Sequence, residues 1–163
     1  MGCDIHVRLE KLMTIKEKEK WINCDNWTFN PYFGEYSDET IEYEVNEFYD
    51  GRNYELFALL ADVRNYGDII PISKPKGVPL DMHYRTREEY ESWECDAHSA
   101  SWYTFGELIN RYNEGDSLNY FVDKFKDRLC EEFRIHDFYE GEKKKELILK
   151  NANKIRVIFW FDN

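Results

Sequence analysis

Two short segments carry the residue types that most readily move protons or hold metal ions, Cys3-Asp4-Ile5-His6 and Cys95-Asp96-Ala97-His98. A Cys2His2 zinc site is the first chemistry this repetition suggests. Strand geometry argues against it at the first segment. Residues i and i+3 point to opposite faces of a strand, so Cys3 and His6 converge only across a knuckle. Residues i and i+2 share a face. Asp4 with His6, and Asp96 with His98 in an extended segment, each set a carboxylate beside an imidazole. If the two pairs meet, Asp4, His6, Asp96 and His98 offer a ligand set for a divalent metal. Without metal, His6 and His98 would act as catalytic acid and base, with Asp4 assisting. The alternative is that each Asp only orients its own His or caps a turn, and the pairs stay apart.

A phosphate fits the other polar groups. Arg52 and Asn53 fall in the expected first turn of a helix, where free N–H groups and the helix dipole favour an anion. Arg52 can equally pair with Asp50 or the acidic stretch before it. Ser99 and Ser101 flank His98 and can donate to phosphate oxygens. Trp102 and Tyr103 can stack on a base, or simply fill a core. Asp62 and Arg64 follow as a salt bridge or as further cleft residues. His83 and His136 read as surface residues. The sequence has no Walker A, Gly-x-Gly-x-x-Gly, His-Glu-x-x-His or Gly-x-Ser-x-Gly pattern.

The elements that must position these groups follow from periodicity. Cys3, Ile5, Val7 and Leu9 alternate with Asp4, His6 and Arg8, which predicts a half-buried strand. Lys16 to Lys20 turns the chain, and Trp21 to Trp27 returns as its hairpin partner. Ile41, Tyr43 and Val45 alternate with Glu42 and Glu44 as a strand with an acidic outer face. Asp50 is the expected N-cap of a helix carrying Leu56, Phe57, Leu60 and Val63, ended by Gly67. Residues 68–82 form a proline-rich excursion, a candidate lid. Thr86-x-x-Glu89 and Thr104-x-x-Glu107 read as capping boxes. Leu118 to Phe133 marks the longest helix, and Glu142 to Lys150 a weaker one. Ile155 to Phe161 is apolar on both faces, as a buried central strand requires. The expectation is one α+β domain over residues 1–163. Its mixed β-sheet contains the N- and C-terminal strands, with helices packed on it.

Composition narrows the partners. The 163 residues hold 33 Asp and Glu against 22 Lys and Arg, a net charge of −11. That balance opposes gripping a long nucleic acid, which needs Lys and Arg to displace counterions. It leaves room for a local site for one small anion. Between Trp21 and Gly51 there are eight acids and no Lys or Arg, a solvated sheet face or an acidic docking surface. No apolar run approaches a membrane span, and the opening residues carry no signal-peptide core. The four cysteines are far apart and read as the reduced thiols of a cytosolic protein.

Four segments resemble a family of small proteins of bacteriophages and some bacterial genomes. They are Met-Gly-Cys-Asp-Ile-His at the start, Gly51 to Asn65, Asp96 to Trp102, and Arg156 to Asn163 with its Phe-Trp-Phe-Asp-Asn ending. The resemblance implies a phage or prophage accessory protein in a bacterial cytoplasm. It brings no established catalytic residues, and Cys95 lies outside its pattern. The expected function is binding, and hydrolysis in a phosphodiesterase-type reaction, of a small nucleotide-type ligand such as a host defence signal. A non-catalytic nucleotide sponge is the alternative, and an acidic protein-docking or DNA-mimic inhibitor a second one. A divalent metal is the expected cofactor, and a homo-oligomer the expected assembly.

Overall fold

A computed structural model of the chain describes residues 2–35 and 42–163. Ile41 of the expected acidic strand, with Asp38 and Glu39, lies outside the described residues. Among the described residues six strands and five helices follow in the order β1 (Asp4–Ile15), β2 (Lys18–Asn23), β3 (Asn26–Phe29), β4 (Tyr43–Asn46), α1 (Tyr54–Ala61), α2 (Tyr84–Ser92), β5 (His98–Thr104), α3 (Phe105–Ile109), α4 (Asp116–Glu132), α5 (Gly141–Asn151) and β6 (Ile155–Asp162).

The main sheet has the order β2-β1-β6-β5, and β3 pairs with β4 in a separate ribbon. The fold is α+β, with the first and last strands side by side and β6 internal, as its apolar faces predict. A mixed sheet was expected, but every ladder is antiparallel. The β1–β2 turn at Lys16 and Glu17 forces one antiparallel pair, and β6 runs against both of its neighbours.

Alternation along β1 and β6 divides the sheet into two chemistries. Cys3, Ile5, Val7 and Leu9 face one side with Ile155, Val157, Phe159 and Phe161. There they meet Leu56, Phe57 and Leu60 of α1, Phe105 of α3, and Leu118, Phe121, Val122, Phe125 and Leu129 of α4. The other side carries Arg8, Glu10, Arg156, Ile158 and Trp160, all 2% exposed or less. α2 and the loop before it cover this side and close an ionic layer. Arg8 binds Glu47 at 2.8 Å and also Glu89, while Arg156 binds Glu10 at 2.7 Å and Asp81 at 2.8 Å. The Arg156 guanidinium lies 4.0 Å from the Trp21 ring centre.

Several boundaries differ from expectation. Asn53, not Asp50, caps α1: its side chain accepts from the Leu56 N–H at 3.1 Å. The helix stops at Ala61 rather than near Gly67, because Asp62 takes a left-handed conformation at φ 59° and turns the chain. Thr104 does form a capping box with Glu107. Thr86 does not. It lies inside α2, wholly buried against Asn23, while Glu89 turns to Arg8. A buried ion pair thus takes the carboxylate that a cap would have used. The 68–82 excursion is no free lid. Gly77 donates to the Ala100 carbonyl at 2.8 Å and Ile72 to Leu59 at 2.8 Å, so the segment covers the outer edge of β5. Among the described residues no helix is long and apolar enough to cross a membrane.

Candidate functional site

The four segments singled out in the sequence meet at one end of the main sheet. There β1 begins, β6 ends and β5 begins, and both ends of α1 arrive beside them. Asp4 lies opposite Asp162 in the β1–β6 ladder, and its N–H donates to the Asp162 carboxylate at 3.0 Å. The other oxygen of Asp162 is 3.3 Å from Nε2 of His6. Arg52 grips Asp4 with two hydrogen bonds, Nε to Oδ1 at 2.8 Å and Nη2 to Oδ2 at 2.6 Å. Arg52, Asp4, Asp162 and His6 therefore form one connected chain of polar contacts.

The second residue of the sequence makes room for it. A Cβ on Gly2 would lie 2.4 to 2.9 Å from the Arg52 guanidinium, so the glycine leaves the space in which the arginine lies here, and a larger residue would make its flexible end shift. On the other side of the same segment Arg64 faces the buried Cys3 thiol and donates to the Asn163 side chain at 2.9 Å. Arg64 holds a left-handed φ of 51°, as Asp62 and Ser99 do nearby.

Electrostatics follow the contacts. Hydrogen bonds from Arg52 hold the Asp4 carboxyl below the usual carboxylate range. The same pairing raises Arg52. Burial pushes the Cys3 thiol up against the opposing pull of Arg64, so Cys3 stays protonated and unreactive. All four cysteines are unpaired thiols.

His6 packs under Trp93, with ring centres 4.1 Å apart, and over Trp160 at 5.8 Å. It stands at one end of a groove of about 930 Å³ that runs between α2, β1 and the β3–β4 ribbon. Trp27, Tyr43 and Trp93 supply its aromatic walls, and Glu44 and Glu88 its free carboxylates.

His98 does not join His6. His6 lies opposite Trp160 in one ladder and His98 opposite Phe161 in the other. Trp160 and Phe161 are consecutive, so they point to opposite faces. The imidazole of His98 stacks on Phe161 on the helical side, with Nδ1 3.1 Å from the Ser99 hydroxyl. Asp96 is exposed in the turn after α2, where its N–H closes onto the Trp93 carbonyl. The expected metal set of Asp4, His6, Asp96 and His98 is therefore not assembled. Among the described residues no three His, Cys, Asp or Glu side chains are grouped to hold a metal ion.

The expected ligand-binding residues are likewise dispersed. Arg52 and Asn53 precede α1 rather than opening it. Asn53 is spent on its cap and on the Ser117 hydroxyl at 3.0 Å. Ser101 is fully buried and accepts from the Lys76 N–H. The face of Trp102 is occupied by the Lys76 ammonium at 4.2 Å, with Arg156 at 5.5 Å. Neither offers a surface to a base. His83 is half-buried rather than a surface residue, and its N–H donates to Glu10 at 2.8 Å. His136 is exposed.

Asp162 and Trp93 were not anticipated. Asp162 could have been read as the polar side chain that closes the apolar run Val157 to Phe161, on the face of Trp160. Nothing local marks Trp93. What remains is a site with two guanidiniums on either side of Gly2 to Asp4, and one imidazole oriented by a carboxylate at the mouth of an aromatic groove. No protein family matches the chain, and no curated protein or solved structure is similar to it.

Proposed function

We propose that this chain is a phage-type accessory protein that binds a small phosphate-bearing, nucleotide-type ligand at the sheet end, within a bacterial host cytoplasm. One observation carries the reading: the exposed, two-pronged hold of Arg52 on Asp4, with Arg64 flanking the same three residues. A guanidinium that chelates a carboxylate has the geometry to chelate a phosphate. The pair is about half exposed on both sides. An incoming phosphate can therefore displace Asp4 without opening a core. The groove beyond His6 gives a base room beside Trp93 and Tyr43, with the Arg85 guanidinium lying 4.9 Å from the Trp27 ring centre. A host defence signal of cyclic or ADP-ribose type fits this chemistry.

The test incubates the protein with cyclic di- and trinucleotides and ADP-ribose derivatives, then recovers the ligand after denaturation. Binding should weaken about tenfold or more in Arg52→Ala, as expected when a charge-assisted pair is lost. If no member of the panel binds, or if Arg52→Ala and Arg64→Ala bind like the parent, the reading is wrong.

Hydrolysis is the second reading, favoured by the 3.3 Å contact between His6 and Asp162. A carboxylate on Nε2 orients the ring and leaves Nδ1 to take a proton from water as its oxygen attacks the phosphorus of a phosphodiester; the ester P–O bond breaks, and the imidazolium returns the proton to the departing alkoxide. With His98 on the opposite face, the reaction has one imidazole and not two. Chemically altered ligand, abolished by His6→Ala and unaffected by His98→Ala, would mark the enzyme. Intact ligand released on heating would mark a sponge.

A further inference from the structure

Two further surfaces, the first sharing Tyr43 and Glu44 with the groove beyond His6, complement each other in sign. β3 and β4, with the described residues just after β3, expose Phe29, Tyr32, Phe33 and Tyr43, each at least 40% accessible. Three of them form one patch, with Phe29 edge-on to Phe33 at 6.4 Å and to Tyr43 at 5.8 Å. Exposed Glu35, Glu42 and Glu44 border the patch, in a stretch that has no Lys or Arg. Contiguous aromatic surface of this kind marks an interaction site. Its partner must be apolar and basic.

The chain carries such a surface itself. α5 buries no residue completely, and between it and α3 and α4 runs a groove of about 480 Å³. Phe105, Ile109, Ile148 and Leu149 line it, and Lys126, Lys144 and Lys145 rim it. Lys126 and Lys144 hold Asp123 and Asp137, whereas the described residues give Lys145 no carboxylate. On a molecule of net charge −11 this is the opposite sign to the whole.

We infer that the aromatic ribbon of one copy seats in the α5 groove of the next, joining chains head to tail. The occupant is a second copy because both halves, the acidic aromatic patch and the lysine-rimmed groove, belong to this sequence. Such a contact is heterologous, so it propagates until it closes into a ring or runs on as a chain.

Sedimentation at rising protein concentration, in low and high salt, tests it. The parent should exceed the 19.8 kDa of one chain as concentration rises, and less so in high salt. Phe33→Ser with Tyr43→Ser spoils the ribbon, and Lys145→Glu with Leu149→Ser spoils the groove. All four positions are exposed, so an unchanged circular dichroism melt checks the fold. Each variant should weaken association about tenfold or more. An equal mixture of the two should restore a species of two chains and stop there, because one intact ribbon meets one intact groove. A parent that stays a single chain throughout, association that survives either variant, or a mixture that forms nothing would overturn the inference. So would a ribbon that binds a basic peptide while the parent never self-associates.

Discussion

Arg8 sits on the alternating polar face of β1, yet it is 1% exposed. Its charge is tolerable only because Glu47 and Glu89 surround it and Trp160 lies against it. Arg8→Met should therefore destabilise by about 3–5 kcal/mol in urea titration, since it strands two carboxylates in the layer. Adding Glu47→Gln and Glu89→Gln should recover much of the loss. Asp25 is the second sensitive residue. Burial raises its carboxyl to about 7 despite Arg8 nearby and the Asn23 and Leu9 donors. The folded chain then binds a proton that the unfolded chain has released, so this contribution is full below the ordinary carboxylate range. It is lost as pH rises through about 7. Asp25→Asn should flatten the fall in stability between about pH 4 and 7, read by melting at each pH. Residue types were legible in the sequence, but their pairing was not. Asp4 beside His6 followed from alternation. That His98 lies across the sheet depends on its partner being Phe161 rather than Trp160, a register only the folded ladder fixes.

Elements were easier to read than sites. The strand Ile155 to Phe161 declared itself by β-branched and aromatic residues on both faces, and Phe159 is wholly buried. Phe159→Ala should cost about 3–5 kcal/mol of unfolding free energy. Thr104→Ala removes the capping hydroxyl of α3 and should cost about 1 kcal/mol. Thr86→Ala should exceed that, because Thr86 is buried and its loss strands the Asn23 donor. The comparison separates the capping box that formed from the one that did not. β5 escaped notice because its first residues are small or polar and a bulge interrupts its pairing between His98 and Ser101. Its alternation is broken where a strand signal would be read.

At the scale of the molecule, the two sheets differ in support. β1, β5 and β6 are sandwiched between helices and the ionic layer, whereas β3 and β4 pair only with each other. Amides from Val157 to Phe161 should exchange with deuterium only on global unfolding, and those of Trp27 and Val45 sooner, by local opening. Mass spectrometry of exchanged peptides would show equal rates if the ribbon were an integral part of the core. The convergence of four distant segments on one sheet end was foreseeable only as a question, since no local pattern says which loops become neighbours. The ionic layer has a further consequence, for misfolding. Slipping β6 by one residue against β1 would carry Arg156 into the phenylalanine core and set Phe159 among the buried carboxylates. Both errors leave a charge unpaired, so mispaired ladders are rejected where an all-apolar strand would have accepted them. Arg8, Glu10 and Arg156 act during folding as a proofreading device for strand alignment.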